Sequence, residues 1–265
     1  MFGPQNKIRL YVSTRLRQVF RLIKDRFQLD EFAKPSAIKL PFEVLTCESP
    51  LFRSLESVPQ VLFENKKINL SLAIEKINGT LLRQGQVFSF WHLVGAPLKK
   101  KGYLDGLIIS QGRADSGVGG GLCQIANALH WLVLHSDLTV IERHRHSFDL
   151  FPDADRKIPF GTGATLVYNF KDIRFKNNTP YDYQFNFDLT ESMLKSTLLI
   201  SQKLPYKYQV IEEDHYFRKC SDGYYRHNTL FKFTYDEGGL VLSKDLIQKN
   251  AFRCQYIPDL EEVHL

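Results

Sequence analysis

The stretch Ser116-Gly117-Val118-Gly119-Gly120-Gly121-Leu122-Cys123-Gln124 leads directly into an apolar run from Ile125 to Leu134. Glycine loses more conformational freedom on folding than any other residue, so this density of glycine indicates a turn whose backbone another group approaches closely. The apolar residues that follow recur at helical spacing and predict a buried helix. Cys123 lies in the first turn of that helix, where unpaired N–H groups favour a thiolate.

Composition restricts the class of protein. The chain has 265 residues, of which 43% are hydrophobic, enough for one large domain with an appendage. Because no apolar run approaches the ~20 residues that span a bilayer and no signal segment is evident, a cytoplasmic protein is expected. The four cysteines are scattered along the chain and predict reduced thiols rather than a disulfide framework.

Residues 1–34 alternate basic and apolar side chains and predict an amphipathic helix that ends at Lys34-Pro35-Ser36. Two arrangements fit this pattern. Residues 8–27 are suited to peripheral contact with an anionic membrane surface. Alternatively, the helix docks on its own domain with its basic face in water.

The remaining segments predict an α+β fold in which the central helix packs on a mainly antiparallel sheet. We expect a helix near residues 66–82, a strand over Val87–Trp91, and a loop region punctuated by glycines at positions 95, 102, 106 and 112. Further strands are predicted at residues 138–146, 164–170 and 173–175, with a hairpin over residues 183–189 and 194–201. The predicted units are residues 1–34, a core domain over residues 35–204, and a β-rich C-terminal appendage over residues 205–265.

Six sequence blocks, in order, resemble the VanW-like family. They are Phe88 to Gly95, Gly102-Tyr103, Gly119 to Gln124, Glu142 to Ser147, Gly161 to Thr165, and Asn177 to Thr179. The resemblance covers roughly residues 65 to 200. It implies an accessory role in glycopeptide resistance or cell-envelope metabolism, without specifying a reaction.

A thiol-dependent site is one interpretation of the pattern. A cysteine at a helix start and a histidine on the following strand, here Cys123 and His146, resemble the arrangement of cysteine hydrolases. Asp172 is the candidate third member, with Asn169 and Asp149 as alternatives. Gln124 or the backbone N–H groups of the glycine turn would stabilise an oxyanion. The predicted reaction is acyl transfer or amide cleavage on a peptidoglycan precursor or stem peptide.

Non-catalytic binding is the alternative. Gly119, Gly120 and Gly121 lead into a helix start that suits a carboxylate or pyrophosphate group of a cell-wall precursor. Gln124, His144 and Arg143 are candidate contacts, as are Arg113 and Arg145. No lysine follows the glycines, so a nucleotide-binding P-loop is not expected. Replacement of Cys123 by serine separates the two hypotheses, because only catalysis requires the sulfur.

Other functional classes are less favoured. His144 and His146, with Glu142 on the same strand face, form a pattern that is able to bind zinc, but a hydrogen-bonded polar cluster is the favoured interpretation. No metal and no cofactor are predicted. The net charge of +6 is modest and no recognised motif accompanies it, so no nucleic-acid partner is predicted. The oligomeric state is left open.

Overall fold

Helices and antiparallel sheets make up the described part of the chain. In the computed structural model, residues 4–27, 31–52, 59–110, 113–145, 148–149, 158–259 and 263–264 are described. Within these ranges the α-helices are α1 (Pro4–Phe27), α2 (Gln60–Ile77), α3 (Phe90–Val94) and α4 (Cys123–Leu134). No helix in the described ranges has both the length and the hydropathy needed to cross a bilayer.

The strands of the described residues form four sheets. They are β1 (Lys34–Pro35), β2 (Phe42–Pro50), β3 (Thr80–Leu82), β4 (Val87–Ser89), β5 (Asp105–Ser110), β6 (Arg113–Val118), β7 (Thr139–Glu142), β8 (Phe148–Asp149), β9 (Arg174–Lys176), β10 (Tyr183–Leu189), β11 (Met193–Ile200), β12 (Tyr206–Cys220), β13 (Gly223–Asp236), β14 (Val241–Cys254) and β15 (Val263–His264). The sheet orders are β1-β3-β10-β11-β2, β15-β12-β13-β14-β8, β4-β9-β7 and β5-β6. Only β8 with β14 and β12 with β15 pair in parallel among these named strands. The predicted α+β class with mainly antiparallel sheets is therefore confirmed.

The hydrophobic core lies between α4, α2 and the first sheet. The inner face of α4 contributes Ile125, Leu129 and Leu132, none of which is exposed. These residues belong to one cluster with Phe88 and Phe185 and with buried residues of α2. Because α4 packs against β2 and β11, its first turn lies beside the end of β2.

Two predicted strands are wrong in part. Phe90 and Trp91 form α3 rather than a strand, because Ser89 caps the helix by accepting a hydrogen bond from the His92 N–H at 3.3 Å. The strand predicted over residues 138–146 ends at Glu142.

Two further segments also differ from expectation. Residues 164–170 turn back on themselves instead of extending, and Asn169 has a positive φ of 48°. Residues 105–110 of the predicted loop region form β5, which pairs with β6. Gly106 of β5 lies opposite Gly117, and neither residue has a side chain that would have indicated a strand.

Helix α1 docks on the body through its polar face. Gln18 donates from Nε2 to the carbonyl oxygen of Tyr168 at 2.7 Å, and Asn169 donates from Nδ2 to the carbonyl oxygen of Gln18 at 2.7 Å. Further along the helix, Asp25 pairs with Arg174 at 2.6 Å. The large apolar side chains of α1 between Val12 and Phe27 therefore point away from the body, which is the reverse of the docked arrangement expected from the sequence.

Candidate functional site

The glycine turn before α4 is packed against the protein's own backbone. A Cβ atom on Gly120 would lie 2.1 Å from the carbonyl carbon of Gly106, a distance that no real Cβ tolerates. Gly119 and Gly121 have φ angles of 78° and 97°, which disfavour residues with a side chain. The close approach inferred from the sequence is thus made by the β5-β6 hairpin.

Asn69 of α2 holds this turn in place by hydrogen bonds. Its Nδ2 donates to the carbonyl oxygens of Gly120 and Leu104, each at 3.0 Å, and its Oδ1 accepts from the Leu104 N–H at 2.8 Å. Asn69 is completely buried, so the turn has a fixed position relative to α2. The sequence pattern gives no indication of this role, because it depends on contacts of Asn69 with residues 104 and 120.

Two backbone donors remain at the start of α4. The N–H groups of Gly119 and Gly120 donate to the carbonyl oxygens of Leu104 and Gly117, each at 3.0 Å. Those of Gly121 and Leu122 have no acceptor among the described residues. Unsatisfied N–H groups at a helix start, together with the helix dipole, favour an anionic group.

The thiol of Cys123 lies inside this first turn. Its Sγ accepts a hydrogen bond from the Leu166 N–H at 3.4 Å. Burial raises the pKa of the Cys123 thiol, whereas the Leu166 N–H and the charge of Lys171 act to lower that pKa. Burial is the largest effect, so the net shift is opposite to the one expected from the helix start.

Lys171 was not identified from the sequence. The predicted strands over residues 164–170 and 173–175 leave Lys171 between them and give no indication of its neighbours. In the structure the chain reverses there, with the Lys171 N–H bonded to the Val167 carbonyl oxygen at 2.9 Å, and this turn brings the ammonium group into electrostatic range of Cys123.

His146, the predicted partner of Cys123, lies outside the described residues. His144 is described. Its carbonyl oxygen accepts from the Thr165 N–H at 2.7 Å, next to the Leu166 N–H that binds Cys123. The His144 ring is directed elsewhere, with Nε2 at 3.0 Å from Oε1 of Glu142. Within the described part of the chain, no three His, Cys, Asp or Glu side chains converge in a way suited to a metal ion.

Asp172, the predicted third member, belongs to a buried ion cluster of Arg21, Asp25, Glu142, Asp172 and Arg174. Its carboxylate is completely buried and accepts hydrogen bonds on both oxygens. Burial raises the pKa of Asp172, and Arg174 and the hydrogen-bond donors around it oppose that rise. The donors are Ser89 Oγ at 2.6 Å, the Trp91 N–H at 3.1 Å, the Ile173 N–H at 2.8 Å and Arg174 Nε at 2.8 Å.

Glu142 connects this cluster to α1. Both of its oxygens accept from the guanidinium of Arg21, at 2.7 and 2.9 Å. Burial raises the pKa of Glu142, but the hydrogen bonds from Arg21, the Asp172 N–H and His144 outweigh it and lower the pKa overall. The cluster thus joins α1, β7 and β9 by charged hydrogen bonds, which are stronger than neutral ones.

The alternative third members also have structural partners. Asn169 bonds to α1 through the Gln18 carbonyl oxygen. Asp149 is buried and accepts from Arg226 Nη1 at 3.2 Å and from the hydroxyl of Tyr256 at 2.7 Å. Both residues therefore stabilise contacts between segments.

The side chains of Gln124 and Arg143 are largely engaged within the protein. Gln124 Nε2 donates to Ser49 Oγ at 2.7 Å and to the Pro50 carbonyl oxygen at 3.0 Å. Its buried Oε1 has no partner among the described residues. Arg143 binds the carbonyl oxygens of Gly161 and Gly163 and the Gln248 side chain, and burial, aided by the charge of Arg145, lowers its pKa to about 10.

Comparison with known proteins relates this chain to one protein family. Residues 65–199 match the protein family described as VanW like protein. The vancomycin B-type resistance protein VanW of Enterococcus faecalis is 27% identical over 226 residues, which cover 84% of this chain and 82% of that protein. An uncharacterized protein, YoaR, of Bacillus subtilis is 31% identical over 117 residues, covering 43% of this chain and 36% of that protein. No solved structure matches the chain.

Proposed function

Because this chain belongs to the VanW-like family, we propose that it is a vancomycin-resistance-associated protein that binds an anionic group of a cell-wall precursor at the start of α4. The ligand is a peptidoglycan precursor or stem peptide, held through a carboxylate or a pyrophosphate group. The relative in Enterococcus faecalis is named as a vancomycin resistance protein and is similar over most of both chains, which supports this context.

The observation that carries the proposal is the pair of N–H groups on Gly121 and Leu122, which have no acceptor among the described residues. They lie at the positive end of α4, and the charge of Lys171 acts on Cys123 in the first turn of the same helix. The unpartnered Oε1 of Gln124 supplies an acceptor suited to a peptide N–H. N–H donors and an amide acceptor within four consecutive residues match the chemistry of a peptide that ends in a carboxylate.

Thiol chemistry at Cys123 is the second candidate. The hydrogen bond from the Leu166 N–H and the charge of Lys171 both favour a thiolate. In such a reaction the thiolate attacks a peptide carbonyl, the amine leaves with a proton, and the resulting thioester is hydrolysed by water. Burial opposes ionisation of the thiol, and the carboxylate of Asp172 is already bonded on both oxygens, so binding is the better supported function.

Calorimetric titration with a UDP-linked muramyl pentapeptide, which has both a carboxylate and a pyrophosphate, tests the binding proposal. We expect Lys171→Met to weaken binding about tenfold, which corresponds to about 1.4 kcal/mol. Lys195→Met, at an exposed position of β11, is the matched control and should leave affinity unchanged. Cys123→Ser should bind within about twofold of the wild type.

Three results would contradict this function. Absence of binding would exclude the proposed ligand, and equal affinity of the two lysine variants would exclude the site at α4. A covalent precursor adduct detected by mass spectrometry on Cys123, and absent in Cys123→Ser, would establish the thiol reaction instead.

A further inference from the structure

The outward face of α1 is apolar over four turns of helix. Seven large hydrophobic side chains of α1 are between 49% and 85% exposed, and all but Leu22 lie on this face. Those on this face follow a spacing of i, i+4, i+7, i+8, i+11 and i+15, so they form one continuous stripe. The residues of this stripe, the α1 outer face, are Val12, Leu16, Val19, Phe20, Ile23 and Phe27.

The opposite side of the helix holds it on the body. Gln18, Arg21 and Asp25 lie one turn apart on that side and bond to Tyr168, Glu142 and Arg174. Turning the helix to bury the α1 outer face would break the Asp25–Arg174 pair, in which both residues are buried. Breaking a buried ion pair is strongly unfavourable, so the apolar stripe is held outward.

Basic side chains border the stripe on both sides. On a helical wheel with about 100° per residue, Arg15 and Arg26 lie along one edge and Arg17 and Lys24 along the other. All four are exposed. Asp25 is the single acidic residue in the α1 sequence, and it lies on the docked side. The outward half of the helix is therefore apolar in the middle and positively charged along its edges.

We propose that the α1 outer face docks on the surface of an anionic lipid bilayer. An apolar stripe between basic edges suits a helix that lies in the plane of a bilayer, with its apolar residues among the acyl chains and its cations at acidic headgroups. A second copy of this chain is a poorer occupant, because two such faces would bring four positive charges each into contact. The described residues that hold the helix on the body, Tyr168, Glu142 and Arg174, bond to the opposite side of α1.

Co-sedimentation with vesicles tests this docking and does not depend on the proposed ligand. The full chain is mixed with vesicles of equal parts phosphatidylglycerol and phosphatidylcholine, or of phosphatidylcholine alone. We expect the partition coefficient to be at least tenfold higher on the anionic vesicles and to fall in 0.5 M NaCl.

Three variants identify the contact. The apolar variant Leu16→Gln, Phe20→Gln, Ile23→Gln and the charge variant Arg17→Gln, Lys24→Gln, Arg26→Gln are each expected to reduce binding at least tenfold. The control variant Leu240→Gln, Leu242→Gln, Leu246→Gln removes three exposed leucines in and beside β14, which are 55% to 67% exposed, and should bind within twofold of the wild type. Circular dichroism verifies that each variant is folded.

Three outcomes would overturn the proposal. Equal binding to both kinds of vesicle would show that anionic lipid is not recognised, and undiminished binding of the apolar variant would show that the α1 outer face does not contact the membrane. Sedimentation of the wild type as a dimer, converted to a monomer by the apolar variant, would assign this face to a second copy of the chain.

Discussion

Replacement of Asp172 by alanine separates a structural role from a catalytic one. The wild-type carboxylate is completely buried and accepts four hydrogen bonds, from Ser89, Trp91, Ile173 and Arg174. Removing one member of a buried, hydrogen-bonded charge pair costs about 3 to 5 kcal/mol, because the partner charge stays buried without compensation. We expect the free energy of unfolding to fall by that amount.

Urea unfolding followed by tryptophan fluorescence measures this change. With an m value of about 2 to 3 kcal/mol per molar urea, the expected loss moves the midpoint down by about 1 to 2 M. Asp188→Ala, at an exposed position of β10, is the matched control and is expected to shift the free energy of unfolding by less than about 0.5 kcal/mol.

The conservative variant Asp172→Asn refines the test. The asparagine oxygen retains the two backbone N–H donors, but the amide group presents hydrogens to Arg174 Nε. The loss of this charged hydrogen bond is expected to cost about 2 kcal/mol. The structural assignment is refuted if the free energy of unfolding of Asp172→Ala lies within about 0.5 kcal/mol of the wild-type value while precursor binding is lost. Asp172 would then be a functional residue.

The remaining predictions concern the glycine turn, the thiols and a buried histidine. Gly120→Ala is expected to lower the free energy of unfolding by about 3 kcal/mol or more through its clash with backbone, whereas Gly85→Ala, with a φ of 80° and open space around it, should cost only about 1 to 2 kcal/mol in the same urea assay. In labelling with iodoacetamide at pH 8, followed by peptide mass spectrometry, Cys220 at the β12-β13 turn should react before Cys123, because burial raises the pKa of the Cys123 thiol. Rapid labelling of Cys123 in the folded protein would contradict that burial. Burial lowers the pKa of His130 from 6.5 to about 3, so the unfolded chain binds a proton that the folded protein does not. Stability should therefore fall by up to about 1.4 kcal/mol per pH unit as the pH decreases from about 6.5 towards 3, and His130→Gln should remove that part of the slope in urea titrations across this range.

Local pattern predicted much of the fold. The spacing of Ile125 and Leu129 indicated a helix where α4 lies, and alternation along residues 183–189 and 194–201 indicated the hairpin formed by β10 and β11. In these segments the pattern reports directly on which side chains are buried.

Segments whose structure depends on distant partners were not predictable. Trp91 is helical because its N–H bonds to a carboxylate 81 positions later in the chain. The direction in which α1 docks depends on Tyr168, Asn169 and Arg174, whereas its own sequence defines two faces without indicating which one is inside.

In the candidate site, too, local patterns were predictable and contacts between distant residues were not. The density of glycines correctly predicts a close approach to the backbone. The group that approaches is the backbone of Gly106, which has no side chain from which the contact could be predicted. Asp172 has the right residue type for a third catalytic member, and nothing in a linear sequence distinguishes that role from a carboxylate that accepts four structural hydrogen bonds. Lys171 acquires its position only through the turn at residues 167–171.

The pairing of β2 with β11 has a consequence for the protein during its synthesis. Phe42 lies opposite Ile200, and Pro50 lies opposite Met193, so these partners are about 140 to 160 residues apart in the chain. β3 likewise pairs with β10, so before β10 is synthesised its only named partner is the two-residue strand β1. A ribosome must therefore deliver residue 200 before the first sheet can close, and α2 and α4 emerge with their apolar faces uncovered. Such long-range pairing slows folding and prolongs the time for which apolar surface of the nascent chain is exposed. Chains of this kind are prone to aggregate and benefit from chaperones.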